Sequence, residues 1–253
     1  MSLLDLALFF ALAGVAAYVQ TLTGFAFGLI VMGVVGLSGL LPLRDAAAVL
    51  SILTLFNAAA MLKSGWTHVR LPTLWMICCA SIPMALVGYG MLDFFANTHL
   101  LVLQLLLGAI IVGSSFQLLG EAKVDVHRHG AGAMLLYGGL GGIMGGMFST
   151  SGPPIVYHLY RLPWPREAVR ETLVAVFAIN SLFRTVFVFA DGTFPEPSMW
   201  PAFLAVFPVL AGTYLARHLP PPLSKQQFRW LVFVLLLASG LSLAIPALIK
   251  MLT

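Results

Sequence analysis

Two short stretches of hydroxyl, amide and glycine residues interrupt long apolar runs of the chain. The first extends from Gln20 to Gly28 and the second from Gly145 to Pro154. A broken helix in lipid leaves backbone groups unpaired at a cost of several kcal/mol each, so it survives only where protein or a water-lined cavity covers it. Broken segments at corresponding positions in two halves of a chain are typical of a transporter's substrate site. The two stretches therefore predict one buried ligand site.

The chemistry of these stretches favours an anion as the ligand. A helix that restarts inside the membrane directs unpaired N–H groups and a partial positive charge toward the break, which makes an anion site. Nearby hydroxyls add further donors. The predicted substrate-binding residues are Gln20, Thr21, Thr23, Gly24, Phe25, Asn57, Ser149, Thr150, Ser151, Gly152, Asn180 and Arg184. The alternative is that the small residues only allow close helix packing, but the pair Pro153-Pro154 is hard to explain that way.

Four polar residues inside predicted membrane segments allow two interpretations each. Arg184 either neutralises the anion or extends toward the outer helix end, where a long basic side chain reaches water. Asn57 and Asn180 occupy matching positions and either line the site or join helices. His158 either carries a coupling proton or lies at the membrane interface. We expect no acidic residue within the spans.

The elements that must position these residues follow from composition. Of the 253 residues, 60% are hydrophobic and only 9% are charged, which predicts an all-α polytopic membrane protein. The charge asymmetry of the loops and the order of the motifs predict two inverted repeats, 1–120 and 130–253, joined by a cytoplasmic linker, 121–129. Each repeat is expected to be a re-entrant or broken helical hairpin followed by three transmembrane helices: 3–38, 44–62, 72–90 and 99–119, then 130–158, 166–190, 198–218 and 224–249.

The repeat rests on weak matches in a preserved order, such as Thr23-Gly24 with Ser151-Gly152. Basic residues concentrate in loops 63–71, 120–130 and 217–229, whereas 91–98 and 191–197 carry acids and no Lys or Arg. The positive-inside rule then predicts that both termini are extracytoplasmic.

The sequence also limits the chemistry and the partners. No nucleophile with an adjacent base and no metal-binding spacing occurs, so we predict no enzyme, no cofactor and no metal site. The net charge of +4 lies in short loops, which argues against nucleic acid as a partner. The expected partners are a small anionic substrate and the lipid bilayer; H⁺ or Na⁺ coupling and a homodimer are compatible with the sequence.

Together, the two broken motifs resemble the TauE/SafE sulfite exporter family, also called TSUP. The resemblance implies a carrier of the bacterial inner membrane for sulfite, sulfoacetate or another organosulfonate. Members often have a glycine-richer first motif, whereas Phe25, Ala26 and Phe27 stand here, and the two rings suit an organic tail. The resulting expectation is a secondary transporter that works by alternating access; a passive small-anion channel is the alternative.

Overall fold

A computed structural model of the chain describes residues 2–119, 130–219, 221 and 224–252. The described residues form helices and connections without a strand, and eight helices are long and apolar enough to cross a membrane. The predicted linker 121–129 lies outside the described residues. The helices are α1 (Leu3–Thr23), α2 (Phe27–Ser38), α3 (Leu43–Gly65), α4 (Leu71–Thr98), α5 (Leu100–Leu119), α6 (Ala131–Phe148), α7 (Gly152–Leu159), α8 (Arg166–Ala190), α9 (Val206–His218) and α10 (Lys225–Leu252).

Both predicted hairpins consist of a long helix, a break and a short helix. Helix α1 ends because Gly24 adopts φ 83°, in the left-handed region that glycine tolerates, and its N–H bonds the carbonyl of Gln20. Helix α6 ends at Ser149, which adopts φ 54°. Helices α2 and α7 have 12 and 8 residues, about 18 and 12 Å at 1.5 Å per residue. Neither short helix can cross a bilayer alone.

The contacts between helices form the same pattern when the two halves of the chain are exchanged. Helix α4 packs extensively against α6, as its counterpart α9 packs against α1, while α3 contacts α8 and α5 contacts α10. Glycines allow the close approach: Gly142 lies against the carbonyl of Ser81, and Gly212 against that of Gly14. This arrangement fits the expected duplication, whose boundaries stay a prediction.

Two helices differ in detail from the predicted segments. Residues 91–98, predicted as a loop, continue α4 to Thr98, and Asp93 there pairs with Arg44 at 2.9 Å. A polar helical turn can project beyond the bilayer, so hydropathy marks the end of a span rather than of a helix. The predicted helix 198–218 instead begins as a 3₁₀ helix, Pro197–Ala205, whose prolines lack the N–H that an α-helix needs.

Candidate functional site

The two breaks meet in the middle of the bundle. A Cβ added to Gly28 would lie 2.8 Å from the Cβ of Thr150, so the first break touches the second directly. Between them lies a small cavity with about 20 Å³ of room for the centres of water-sized spheres, enough for about one water molecule. Its lining consists of Gln20, Phe25, Ala26, Gly28, Thr54, Gly145, Ser149, Thr150, Ser151, Gly152, Phe177, Asn180 and Ser181.

Gln20 holds the first break in shape. Its Oε1 accepts a hydrogen bond from the backbone N–H of Phe27 (3.1 Å), and its Nε2 donates to Oδ1 of Asn57 (2.8 Å). Asn57 in turn donates to the hydroxyl of Thr213 on α9 at 2.7 Å. One N–H at the start of α2 is therefore occupied by Gln20 rather than available to a ligand. The buried chain of three side chains ties the break to both halves.

Asn180 has the corresponding role at the second break. Its Nδ2 donates to Oγ of Ser151 (3.1 Å), and its Oδ1 accepts from the hydroxyl of Ser81 on α4 (2.8 Å). Each asparagine thus bonds the break of its own half and a hydroxyl of the other half. Because the Ser151 oxygen acts as acceptor here, its proton can be donated into the cavity.

Arg184 supplies a buried positive charge next to this cavity. Arg184 is 1% exposed. Its Nε donates a hydrogen bond to the carbonyl of Gly146 (2.9 Å), and its Nη1 donates one to Oγ of Ser51 (3.1 Å). Among the described residues, no carboxylate lies within ion-pair distance of Arg184, and its Nη2 has no hydrogen-bond partner. A buried guanidinium without a counter-ion is costly and is suited to compensate a bound anion.

A hydrogen-bonded chain links this charge to the cavity wall. The Ser51 hydroxyl that receives Nη1 of Arg184 lies 2.9 Å from the hydroxyl of Ser149, which lines the cavity. Ser51 also donates to the carbonyl of Ala47, which fixes its hydroxyl as an acceptor toward its neighbours. Ser149 therefore donates its one proton to Ser51 and presents an acceptor oxygen to the cavity, so it can donate to a bound anion only by giving up this bond.

The structure places the twelve predicted site residues in three groups. Seven of them line the cavity, and Asn57 and Arg184 reach it through hydrogen bonds; the seven are Gln20, Phe25, Ser149, Thr150, Ser151, Gly152 and Asn180. The other three do not line it. The hydroxyls of Thr21 and Thr23 donate to carbonyls of their own helix, and Gly24 packs against Arg170.

Several residues near the site were missed. Thr54, Phe177 and Ser181 line the cavity. In the sequence they do not differ from other residues of apolar helices. They could be found only by knowing which face of each helix points toward the cavity. The expectation of no acid in the spans was wrong, because Glu171 lies within α8 and its side chain is 3% exposed. His158 is buried and stacks on Tyr137 with ring centroids 4.9 Å apart; whether it carries a coupling proton or lies at the membrane interface stays a prediction.

The helices and this buried polar site define a multi-pass membrane transport protein. The family model "Sulfite exporter TauE/SafE" matches residues 9–243, and the chain belongs to that family. It is 35% identical over 237 residues to the "Probable sulfite/organosulfonate exporter TauE" of Cupriavidus necator, covering 94% of this chain and 93% of that protein.

A second relative matches over part of the chain. The "Probable inner membrane transporter protein TsaS" of Comamonas testosteroni is 32% identical over 110 residues, which cover 42% of this chain and 44% of that protein. No solved structure matches the chain significantly. The relatives agree on membrane transport as the general activity.

Proposed function

We propose that the protein is a secondary transporter of a small sulfur-containing anion: sulfite, sulfoacetate or another organosulfonate. It would act in the bacterial inner membrane, with both termini outside the cytoplasm. The observation that carries the proposal is the cavity between the two breaks, which has serine and threonine hydroxyls on its wall and a buried arginine behind it. The name of the Cupriavidus relative supports the choice of anion.

The donors around the cavity match the chemistry of a sulfonate or sulfite group, whose three oxygens share negative charge. Thr150 and Ser151 bring hydroxyl donors from one break, and Asn180 supports Ser151 from α8. Hydrogen bonds from neutral donors to a charged acceptor contribute about 1.5–3 kcal/mol each. Phe25 adds apolar surface to the cavity lining, which would accept the short carbon chain of an organosulfonate.

The small size of the cavity supports alternating access. A sulfonate needs several times the volume of a water molecule, so the closed site must expand before it admits one. Because the breaks belong to different halves and touch at Gly28 and Thr150, a rocking motion of one half against the other would widen the cavity toward one side at a time. The closed form would then be the state between the two openings.

Purified protein in liposomes tests the proposal. We expect saturable uptake of radiolabelled sulfite or sulfoacetate and accelerated exchange against unlabelled anion on the other side. Ser151→Ala removes one donor, which weakens apparent affinity roughly 10- to 100-fold. Ser38→Ala is the matched control, because the Ser38 hydroxyl is exposed and donates to its own helix.

Two results would contradict the proposal. If the wild-type protein moved neither sulfite nor sulfoacetate, the assigned substrate class would be wrong. If flux rose linearly with concentration and no exchange occurred, the protein would be a passive anion channel.

A further inference from the structure

We infer that Glu171 is the site that binds a coupling proton, and that Arg170 links this proton to the anion. The inference rests on the proposed transport function. Glu171 lies on α8, about 8 Å along the helix axis from its first residue, Arg166. Its side chain is 3% exposed, and its Oε2 has no hydrogen-bond partner among the described residues. The coupling proton would bind at this buried carboxylate oxygen.

Arg170 is the group that neutralises Glu171 in the closed state. Its Nη2 and Nε both donate hydrogen bonds to Oε1 of Glu171, at 2.7 and 3.1 Å, and neither donates to Oε2. Within the part of the chain that the structure describes, this is the ion pair that Glu171 makes. Gly65 at the end of α3 lies directly against the carboxylate, and any side chain there would collide with it. The carboxylate therefore contacts both the Arg170 guanidinium and the backbone at Gly65.

Arg170 also contacts the first break of the substrate site. A Cβ added to Gly24 would lie 2.8 Å from Cγ of Arg170, so the arginine stem rests on the backbone of the break. Tyr160 closes the same region by donating its hydroxyl to the carbonyl of Thr23 at 2.8 Å. The Arg170 side chain is 38% exposed, so an anion that enters from this end of α8 meets Arg170 before it reaches the cavity.

Charge balance connects the two events. An anion that draws the Arg170 guanidinium away from Glu171 leaves the carboxylate buried without a counter-charge, which is strongly unfavourable. Uptake of one proton at Oε2 removes that charge. The proton offsets one negative charge of the anion: a monovalent sulfonate then enters without net charge, and sulfoacetate, which carries two negative charges at neutral pH, enters with one. Because binding coupling is reciprocal, the proton also favours binding of the anion.

The surrounding elements carry other charged or titratable groups that this site must tolerate. Lys63, His68 and Arg70 belong to the end of α3 and the connection to α4, and the backbone N–H of Arg70 donates to the hydroxyl of Thr172, next to Glu171. Tyr160 comes from the connection before α8. Arg166 and Glu167 lie in the first turn of α8. Of these groups, none forms an ion pair with Glu171 in the described part of the chain.

The test measures proton and anion movements together in liposomes that contain a pH-sensitive dye. Sulfoacetate is the probe, because it is fully ionised at neutral pH and brings no proton of its own. The variants are Glu171→Gln, which cannot bind the proton, and Glu171→Asp, which restores a carboxylate. Glu167→Gln is the control, since Glu167 is an exposed acid on the same helix.

We expect wild type and Glu167→Gln to move about one proton per sulfoacetate, because the single carboxylate of Glu171 takes up one proton for each anion. Glu171→Gln should keep sulfoacetate exchange within several-fold of wild type and lose proton movement at least tenfold, and Glu171→Asp should recover it. The inference is overturned if Glu171→Gln moves protons as wild type does, or if it folds but no longer exchanges sulfoacetate. It is equally overturned if wild type transports sulfoacetate without protons. Wild-type vesicles that take up neither sulfite nor sulfoacetate reject the proposed function instead.

Discussion

Replacing Arg184 with methionine separates a binding role from a structural one. The guanidinium donates two hydrogen bonds, to Gly146 and Ser51, and has no carboxylate partner among the described residues. Two charged hydrogen bonds contribute about 3–6 kcal/mol, while burying the ion costs several kcal/mol. The terms nearly cancel, and methionine fills similar space. The free energy of unfolding should therefore change by less than about 2 kcal/mol, or roughly 4–8 °C in Tm.

Anion binding should respond very differently to the same change. A buried anion that loses its compensating charge loses about 3 kcal/mol, which is roughly a 100-fold increase in Kd. The assay is thermal stability of the detergent-purified protein as sulfoacetate is titrated, since a ligand that binds the folded state raises Tm. Arg44→Met is the control: it also removes one positive charge, but from a side chain that is 32% exposed and paired with Asp93.

The reasoning about Arg184 is refuted by either of two results. A Kd within threefold of wild type would show that the charge does not compensate the anion. A protein that no longer folds would show that Arg184 holds the breaks together, so that its hydrogen bonds outweigh its burial.

Two more predictions concern the breaks. Gly28→Ala should destabilise the protein by about 1–3 kcal/mol, because the new methyl overlaps Thr150. Gly90→Ala, whose Cβ would meet nothing within 4 Å, should be neutral or stabilise by up to about 1 kcal/mol; Tm distinguishes them, and equal losses would contradict the contact. Burial raises the pKa of Tyr160 above its ordinary 10.0. The folded state then favours the neutral phenol, so wild type should lose stability above pH 10, by up to about 1.4 kcal/mol per pH unit. Tyr160→Phe should lack that loss, and identical pH profiles of unfolding would contradict it.

The spans and both breaks could be predicted from the sequence because their causes are local. Long apolar runs specify membrane helices. Gly24, Pro153 and Pro154 interrupt these helices through their own backbone preferences, whatever the tertiary structure around them. The two breaks contain most of the cavity lining for the same reason. Their contact at Gly28 and Thr150 followed from the expected repeat, although no single motif specified it.

The other residues of the site could not be predicted, because their positions depend on which faces the helices present to each other. Ser51, Ser81 and Thr213 each bond a key side chain of the site, but a hydroxyl inside an apolar helix has no local signal, since it can bond its own backbone equally well. Glu171 was missed because it follows Arg166, Glu167 and Arg170, so the segment resembles a solvated helix end. Its burial depends on Gly65, which is distant in sequence.

The central claim is that both breaks hold one anion, and protection of introduced thiols tests it most directly. Cys78 and Cys79 would first be replaced by alanine, and single cysteines placed at Phe25 or Thr150, one on each break. Labelling by a small neutral maleimide is then measured against sulfoacetate concentration. The account predicts that sulfoacetate slows labelling at both positions with the same half-maximal concentration. Protection at one position only, or at two clearly different concentrations, would contradict a shared site.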